Sequence, residues 1–106
     1  MVSREHLQSI KRNLAEHYGD RLRGVVLFGS EARGNADEGS DVDLMVLLDG
    51  PVDTGREIRE ITDRIYHMQI ERGFFRPVEV IPVDVDDYRN VNLGIYRNAR
   101  EEGVAV

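Results

Sequence analysis

The stretch that decides the fold is VVLFGSEARGNADEGSDVDLMVLL, residues 25–48. An apolar run over Val25–Phe28 ends in Gly29-Ser30, and a second apolar run follows two aspartates. Short apolar runs bounded by glycine and polar residues are typical of buried strands. We therefore predict one strand that turns into a short helix at Gly29-Ser30, a polar loop over 35–40, and a second strand over Asp41–Leu48.

The sequence on either side predicts further helices and strands. Apolar residues at helical spacing, with suitable end residues, predict helices over 3–19, 54–73 and 88–102. Thr54 and Glu57 form a capping box that should begin the second of these. A third strand over 78–83 contains Pro82, which cannot donate to a sheet and so indicates an edge. The order αβαβαβα predicts an α/β (α+β) fold, with a short mixed sheet of about three strands flanked by helices.

Length and composition narrow the function classes. A chain of 106 residues is expected to form a single domain, residues 1–106. Its net charge of −6 argues against direct nucleic-acid binding, and its lack of cysteine excludes disulfides and zinc–thiolate sites. The longest apolar run, Leu44–Leu48, is far too short to cross a membrane. No apolar segment follows the N-terminus, so we expect a cytoplasmic protein without a membrane partner.

Two acids interrupt the second predicted strand. Alternation places Asp41 and Asp43 on one face, about 6–7 Å apart along the strand. Like charges at this distance repel unless they share a proton or a cation, and Mg²⁺ prefers such oxygen ligands. The alternative is a solvated strand end, or a turn made by Ser40 and Asp41. This pair alone does not decide between the two interpretations.

The Gly29-Ser30 turn is a candidate for phosphate binding. A glycine directly after a buried strand lets a ligand approach the backbone closely. Ser30 offers a hydroxyl beside the free amides of a helix start, and Arg33 could add a charged contact. The alternative is that Ser30 caps the helix and Arg33 lies on the surface.

The two features together form the pattern G-S-x10-D-x-D, with Ala32-Arg33-Gly34 inside the spacer and Ser40 before the first aspartate. This pattern resembles the polymerase-β-type nucleotidyltransferase superfamily. More closely, the chain is similar to the minimal nucleotidyltransferases (MNT proteins), the small partners of HEPN-domain proteins. The resemblance covers nearly the whole chain, from the leading helix to the closing one.

The resemblance implies a catalytic and metal-binding set of Asp41, Asp43 and a third carboxylate on a neighbouring strand, for which Glu79 is the match. Two Mg²⁺ ions would be held by the aspartates, one of them also by Glu79. Glu79 could instead face outward on an edge strand. Asp84 is the fallback, although it follows Pro82 and is expected to lie beyond the sheet.

The resemblance also implies a nucleotide site and an activity. Gly29, Ser30, Arg33 and Ser40 would bind ATP or another nucleoside triphosphate. The enzyme would transfer a nucleoside monophosphate, AMP from ATP, to a hydroxyl of a partner protein, a HEPN toxin, and so act as an antitoxin.

Other outcomes stay open at this point. Larger superfamily members complete the cleft with a helical domain, so a second copy of this chain or another protein is expected to complete it here. Alternatives to transfer onto a protein are an antitoxin that acts by binding alone, and transfer to a small molecule. The small size of the chain disfavours the last of these.

Overall fold

The computed structural model describes residues 2–37, 39–73 and 75–106. Five helices and four strands are found within these ranges. The helices are α1 (Arg4–Tyr18), α2 (Gly29–Arg33), α3 (Thr54–Arg72), α4 (Val85–Asn90) and α5 (Gly94–Glu102), and a 3-10 turn covers Gly19–Arg21. The strands are β1 (Leu22–Phe28), β2 (Val42–Leu48), β3 (Val78–Asp84) and β4 (Val104–Ala105).

The strands form one mixed sheet in the order β3-β2-β1-β4. Strand β1 pairs antiparallel with β2 and with β4, whereas β2 and β3 are parallel and are joined by the crossover helix α3. The predicted fold class is therefore confirmed, and β3 lies at an edge as Pro82 indicates. The short fourth strand, β4, is an addition that the sequence does not predict.

The central strand β2 is buried on both faces. Val42, Leu44, Val46 and Leu48 point into a core formed with α1 and α3. Met45 and Leu47 point into a second cluster with β3, α4 and α5 on the other face. This double burial explains why the second half of the strand is an unbroken apolar run. It also leaves only the start of the strand, at Asp43, free to carry a polar group.

Several element boundaries differ from the prediction. Helix α3 is capped by Asp53 rather than Thr54, because the Asp53 carboxylate accepts a hydrogen bond from the Arg56 amide at 3.3 Å. The single helix predicted over 88–102 is two helices, since the backbone is extended between Val91 and Leu93. The predicted loop over 35–40 is non-helical at 35–37 and 39–40, and Glu38 lies outside the described residues.

No helix in the described ranges is both long enough and apolar enough to span a bilayer.

A buried ion pair joins the start of β1 to α3. The Glu57 carboxylate, 1% exposed, accepts hydrogen bonds from Arg21 and from the Tyr18 hydroxyl, both at 3.1 Å. Burial alone would raise the pKa of Glu57, but these donors and the Asp53 amide hold it below its ordinary value. The pair lies at the end of β1 opposite to Gly29.

Replacing Glu57 by glutamine is expected to destabilise the fold by about 1–2 kcal/mol at neutral pH, because it removes the charge from the hydrogen bonds that the buried carboxylate accepts from Arg21 and Tyr18. A carboxyl group whose pKa is lowered on folding contributes stability above its unfolded pKa and loses it as the pH falls through the folded value. The wild type should therefore lose its advantage over Glu57→Gln as the pH drops below about 4.5. Urea unfolding of both proteins at pH 7 and pH 3 measures this. An unchanged difference between the two pH values would contradict it.

Candidate active site

The backbone at Gly29 lies directly against the Asp43 carboxylate. Gly29 has φ +73°, a conformation that residues with a side chain rarely adopt. A Cβ atom added to Gly29 would lie 2.3 Å from Asp43 Oδ2, well inside van der Waals contact. Glycine is thus required here both by the backbone conformation and by the neighbouring carboxylate.

The sheet register brings Glu79 to the other side of Asp43. Phe28 pairs with Asp43 across β1 and β2, and Asp43 pairs with Glu79 across β2 and β3. Burial raises the pKa of the Asp43 carboxyl, and the charges of Glu79 and Asp41 raise it further, as does a hydrogen bond with Glu79. Arg33 acts in the opposite direction. Asp43 is therefore the centre of a group of acids that repel one another.

Asp41 lies just outside the sheet. Strand β2 begins at Val42, one residue later than predicted, and Asp41 is exposed. Glu79 is also exposed, on edge strand β3, whereas Asp43 is half-buried. The structure therefore brings Asp43 and Glu79 into contact and leaves Asp41 within electrostatic reach of them. Among residues 2–37, 39–73 and 75–106, no group of three or more acidic, histidine or cysteine side chains is placed so that it could hold a metal ion.

The four predicted nucleotide-binding residues are placed differently from one another. Gly29 and Ser30 form the first turn of α2, next to Asp43, and both are half-buried. Arg33 ends the same helix and pairs with Glu102 at 3.7 Å, with about half of its side chain exposed. The Ser40 hydroxyl donates a hydrogen bond to Asp37 at 3.1 Å, so in this arrangement it shapes the loop before β2.

Comparison with known proteins identifies the family. Residues 7–102 match the family model described as nucleotidyltransferase domain. The chain belongs to this family. The pattern of Gly29-Ser30 and the paired aspartates agrees with this membership.

A curated relative points in the same direction. MJ1305 of Methanocaldococcus jannaschii, named as a candidate protein adenylyltransferase, is 37% identical over 86 residues, which are 76% of this chain and 54% of that protein. The chain spans about half the length of the curated relatives it matches.

Two solved structures share the nucleotidyltransferase fold. A toxin-antitoxin structure with AMP-PNP superposes with a TM-score of 0.63 and 17% identity, covering 92% of this chain and 70% of that one. A candidate nucleotidyltransferase from Sulfolobus solfataricus also gives a TM-score of 0.63, with 20% identity, covering 95% of this chain and 76% of that one. At these identities the likeness shows the fold.

Asp84, the fallback for the third carboxylate, lies at the other end of β3 from Glu79. The expectation that it lies beyond the sheet is wrong, because Asp84 is the last residue of β3 and pairs with Leu48. Its carboxylate caps α4 by accepting a hydrogen bond from the Asp86 amide at 2.8 Å. Since Glu79 and Asp84 lie at opposite ends of β3, Asp84 cannot join Asp43.

Two buried charged residues beside the candidate site are not predicted from the sequence. Glu31, in α2, is 2% exposed, and Arg76, before β3, is 8% exposed. They form an ion pair at 2.6 Å. In the sequence Glu31 belongs to a polar helix and Arg76 to a loop, so each resembles a surface residue, and no local pattern links them.

Two of the three expected carboxylates adjoin each other in the sheet. Asp43 pairs with Glu79 across β2 and β3, whereas the exposed Asp41 acts on Asp43 through its charge. Burial is the main cause of the raised pKa of Asp43, and the charges of Glu79 and Asp41 add a repulsion that a bound cation would offset. Carboxylate oxygens are ligands that Mg²⁺ takes in sites where it also binds phosphate. Asp43 and Glu79 would therefore supply two ligands to Mg²⁺, and the other ligands would come from Asp41, water and nucleotide.

Proposed function

We propose that this nucleotidyltransferase transfers AMP from ATP to a hydroxyl group of a partner protein, with Mg²⁺ as cofactor. The observation that carries the proposal is the contact between the Gly29 backbone and Asp43, with Glu79 beside it. The carboxylates that would hold a cation thus adjoin the Gly29-Ser30 turn, where we propose that phosphate binds. A triphosphate bound at Gly29-Ser30 would lie within reach of a cation on these acids.

Each residue has a defined part in this proposal. Asp41 and Asp43 would hold two Mg²⁺ ions, one of them also bound by Glu79. When bound, Mg²⁺ supplies charge stabilisation to the phosphates and lowers the pKa of the attacking hydroxyl. Gly29 and Ser30 would hold the β- and γ-phosphates, which leave as pyrophosphate. Glu79, exposed at the sheet edge, could accept the proton of the acceptor hydroxyl.

The proposed acceptor is a toxin, in particular a HEPN-domain protein, and the chain would be its antitoxin. Two findings support this assignment. The relative MJ1305 is named for transfer of adenylyl groups to protein. The toxin-antitoxin structure of the same fold carries AMP-PNP, an ATP analogue.

The test is intact-mass spectrometry of a purified HEPN-domain protein that binds this chain, incubated with this chain, ATP and Mg²⁺. The partner is expected to gain one or more AMP units, because binding makes attack on the α-phosphorus an effectively intramolecular step. Asp41→Asn should bind the partner as the wild type does but leave its mass unchanged. The same incubation with an aminoglycoside in place of the partner tests the small-molecule alternative.

Two results would contradict the proposal. No gain in mass with any nucleotide, together with neutralisation of toxicity by Asp41→Asn, would establish an antitoxin that acts by binding alone. An equal gain in mass with Asp41→Asn and with the wild type would show that Asp41 is not part of the catalytic group.

A further inference from the structure

One buried guanidinium joins the two segments that carry the nucleotidyltransferase motif. Arg76 Nη2 donates to Glu31 Oε1 at 2.6 Å and to the Ser40 carbonyl oxygen at 2.8 Å. One amino group with two hydrogens can make both bonds at once. Glu31 lies in α2, two residues after Gly29, and Ser40 directly precedes Asp41. Arg76 therefore connects the candidate phosphate turn to the segment that carries Asp41, the first of the candidate metal carboxylates.

The Arg76 backbone and the Glu31 side chain are each held by a further hydrogen bond. The Arg76 amide donates to the side chain of Gln69 in α3 at 2.7 Å, and Gln69 is fully buried. On the other side, Glu31 Oε2 accepts a hydrogen bond from the Val2 amide at 3.1 Å. These hydrogen bonds fix the Arg76 backbone and the Glu31 carboxylate. The guanidinium therefore joins groups that are themselves held in position.

The sheet itself does not supply this link. Pairing of β1 with β2 ends at Phe28 and Asp43, so α2 and the loop before Val42 continue beyond the last rung of the ladder. Val42 is held by its amide, which donates to the Pro77 carbonyl at 2.9 Å. The distance between Gly29-Ser30 and Asp41 then depends on side-chain contacts across the gap, and Arg76 makes two of them.

We infer that Arg76 is a positioning residue, which sets the separation between the phosphate-binding turn and Asp41 through Glu31 and Ser40. The inference deepens the proposed function and rests on it for the roles of those two segments. Arg76 itself would touch neither nucleotide nor metal. Its removal should change nucleotide affinity because Asp41 loses its fixed distance from the phosphate-binding turn.

The experiment compares two double variants. Glu31→Met/Arg76→Met replaces the whole pair by side chains of similar length, which avoids an unpaired buried charge and preserves folding better than either single change. Arg21→Met/Glu57→Met does the same to the buried pair at the opposite end of β1. Melting temperature, ATP affinity with Mg²⁺ by calorimetry, and hydrogen exchange of the amides of 29–34 and 39–42 are measured for both and for the wild type.

Glu31→Met/Arg76→Met is expected to bind ATP with Mg²⁺ about tenfold to a hundredfold more weakly than the wild type, with faster exchange in both segments. The control pair should keep its ATP affinity and its exchange there, even where its melting temperature falls as far. Arg76→Lys, which retains one charged donor group, should recover part of the affinity. A purely structural role would instead make affinity follow melting temperature in both double variants.

The outcomes separate this inference from the proposed function. If the wild type binds ATP with Mg²⁺ and Glu31→Met/Arg76→Met binds it equally well, positioning by Arg76 is refuted and the proposed function stands. If the wild type binds no ATP, the proposed function fails. Hydrogen exchange alone then tests whether Arg76 links the two segments. Faster exchange in both segments, seen only in Glu31→Met/Arg76→Met, then supports the link, and unchanged exchange overturns it.

Discussion

Asp43→Asn is expected to raise the melting temperature of the metal-free protein and to abolish the further rise that ATP with Mg²⁺ gives the wild type. Asp43 is half-buried between Gly29 and Glu79, and its pKa is raised by burial and by its acidic neighbours. A carboxyl group with a raised folded pKa stabilises the fold below its unfolded pKa and loses this contribution as the pH rises through the folded value. At neutral pH the charge therefore destabilises the fold, and asparagine removes it.

The size of both effects follows from general scales. Loss of one repulsive charge should raise the melting temperature by roughly 2–5 °C in a domain of this length. A ligand present at a hundred times its dissociation constant stabilises the wild type by about 2.7 kcal/mol, and the variant should lose most of this. Scanning calorimetry with and without ATP and Mg²⁺ measures both.

Asp20→Asn is the matched control, because Asp20 is an exposed aspartate in the turn before β1, at the end of the sheet away from Glu79. It should respond to ATP with Mg²⁺ as the wild type does. Equal stabilisation of Asp43→Asn and wild type by nucleotide would refute the metal site. A fall in the metal-free melting temperature would show that Asp43 is held by favourable contacts rather than strained by repulsion.

Gly29→Ala should weaken ATP binding at least about a hundredfold, a loss of roughly 2.7 kcal/mol. The added methyl group would lie 2.3 Å from Asp43 Oδ2, so either the carboxylate or the turn has to move. Backbone strain at φ +73° adds about 1–2 kcal/mol of destabilisation. Both halves of the candidate site are displaced by this one methyl group.

Gly73→Ala separates the effect of backbone strain from the effect of the clash with Asp43. Gly73 has φ +68°, nearly the same as Gly29, but among the described atoms none comes within 4 Å of its added Cβ. It should therefore lose similar stability while keeping its ATP affinity. Calorimetric titration and thermal unfolding of the two variants give the comparison. If Gly29→Ala binds ATP as well as Gly73→Ala does, phosphate binding at this turn is disproved.

The strands and the family could be read from the sequence because their signals are local. Val25–Phe28 and Leu44–Leu48 are apolar without interruption, and the acids before Leu44 break the pattern at one point. Strand β4 has no such signal, since Val104 and Ala105 are only two exposed residues that pair with Val26 and Leu27. The split between α4 and α5 also escaped prediction. Valine at 91 and glycine at 94 are weak helix formers whose effect depends on packing.

In the candidate site, too, some residues could be predicted from the sequence and others could not. Asp43 could be proposed because an acid in an otherwise apolar strand is exceptional, and Glu79 because the family resemblance implies a third carboxylate on a neighbouring strand. The close fit of Gly29 to Asp43 depends on the register of β1 and β2, which no residue type specifies. The pairing of Arg76 with Glu31 joins residues far apart in the chain, and periodicity carries no information about such contacts. Both residues resemble surface residues in the sequence, and only the structure shows that they are buried and paired beside the candidate site.

The parallel pairing of β2 with β3 has a consequence for how the site is assembled as the chain folds. Gly29 and Asp43 belong to neighbouring antiparallel strands, whose contacts close a short loop of chain. Glu79 and Arg76 reach the same place only after the whole of α3 has crossed over the sheet. Closing the longer loop carries the larger entropic penalty, and contacts of high sequence separation form slowly. A nascent chain that has emerged only as far as α3 therefore holds the glycine turn and both aspartates, but neither the third acid nor the arginine that spaces them.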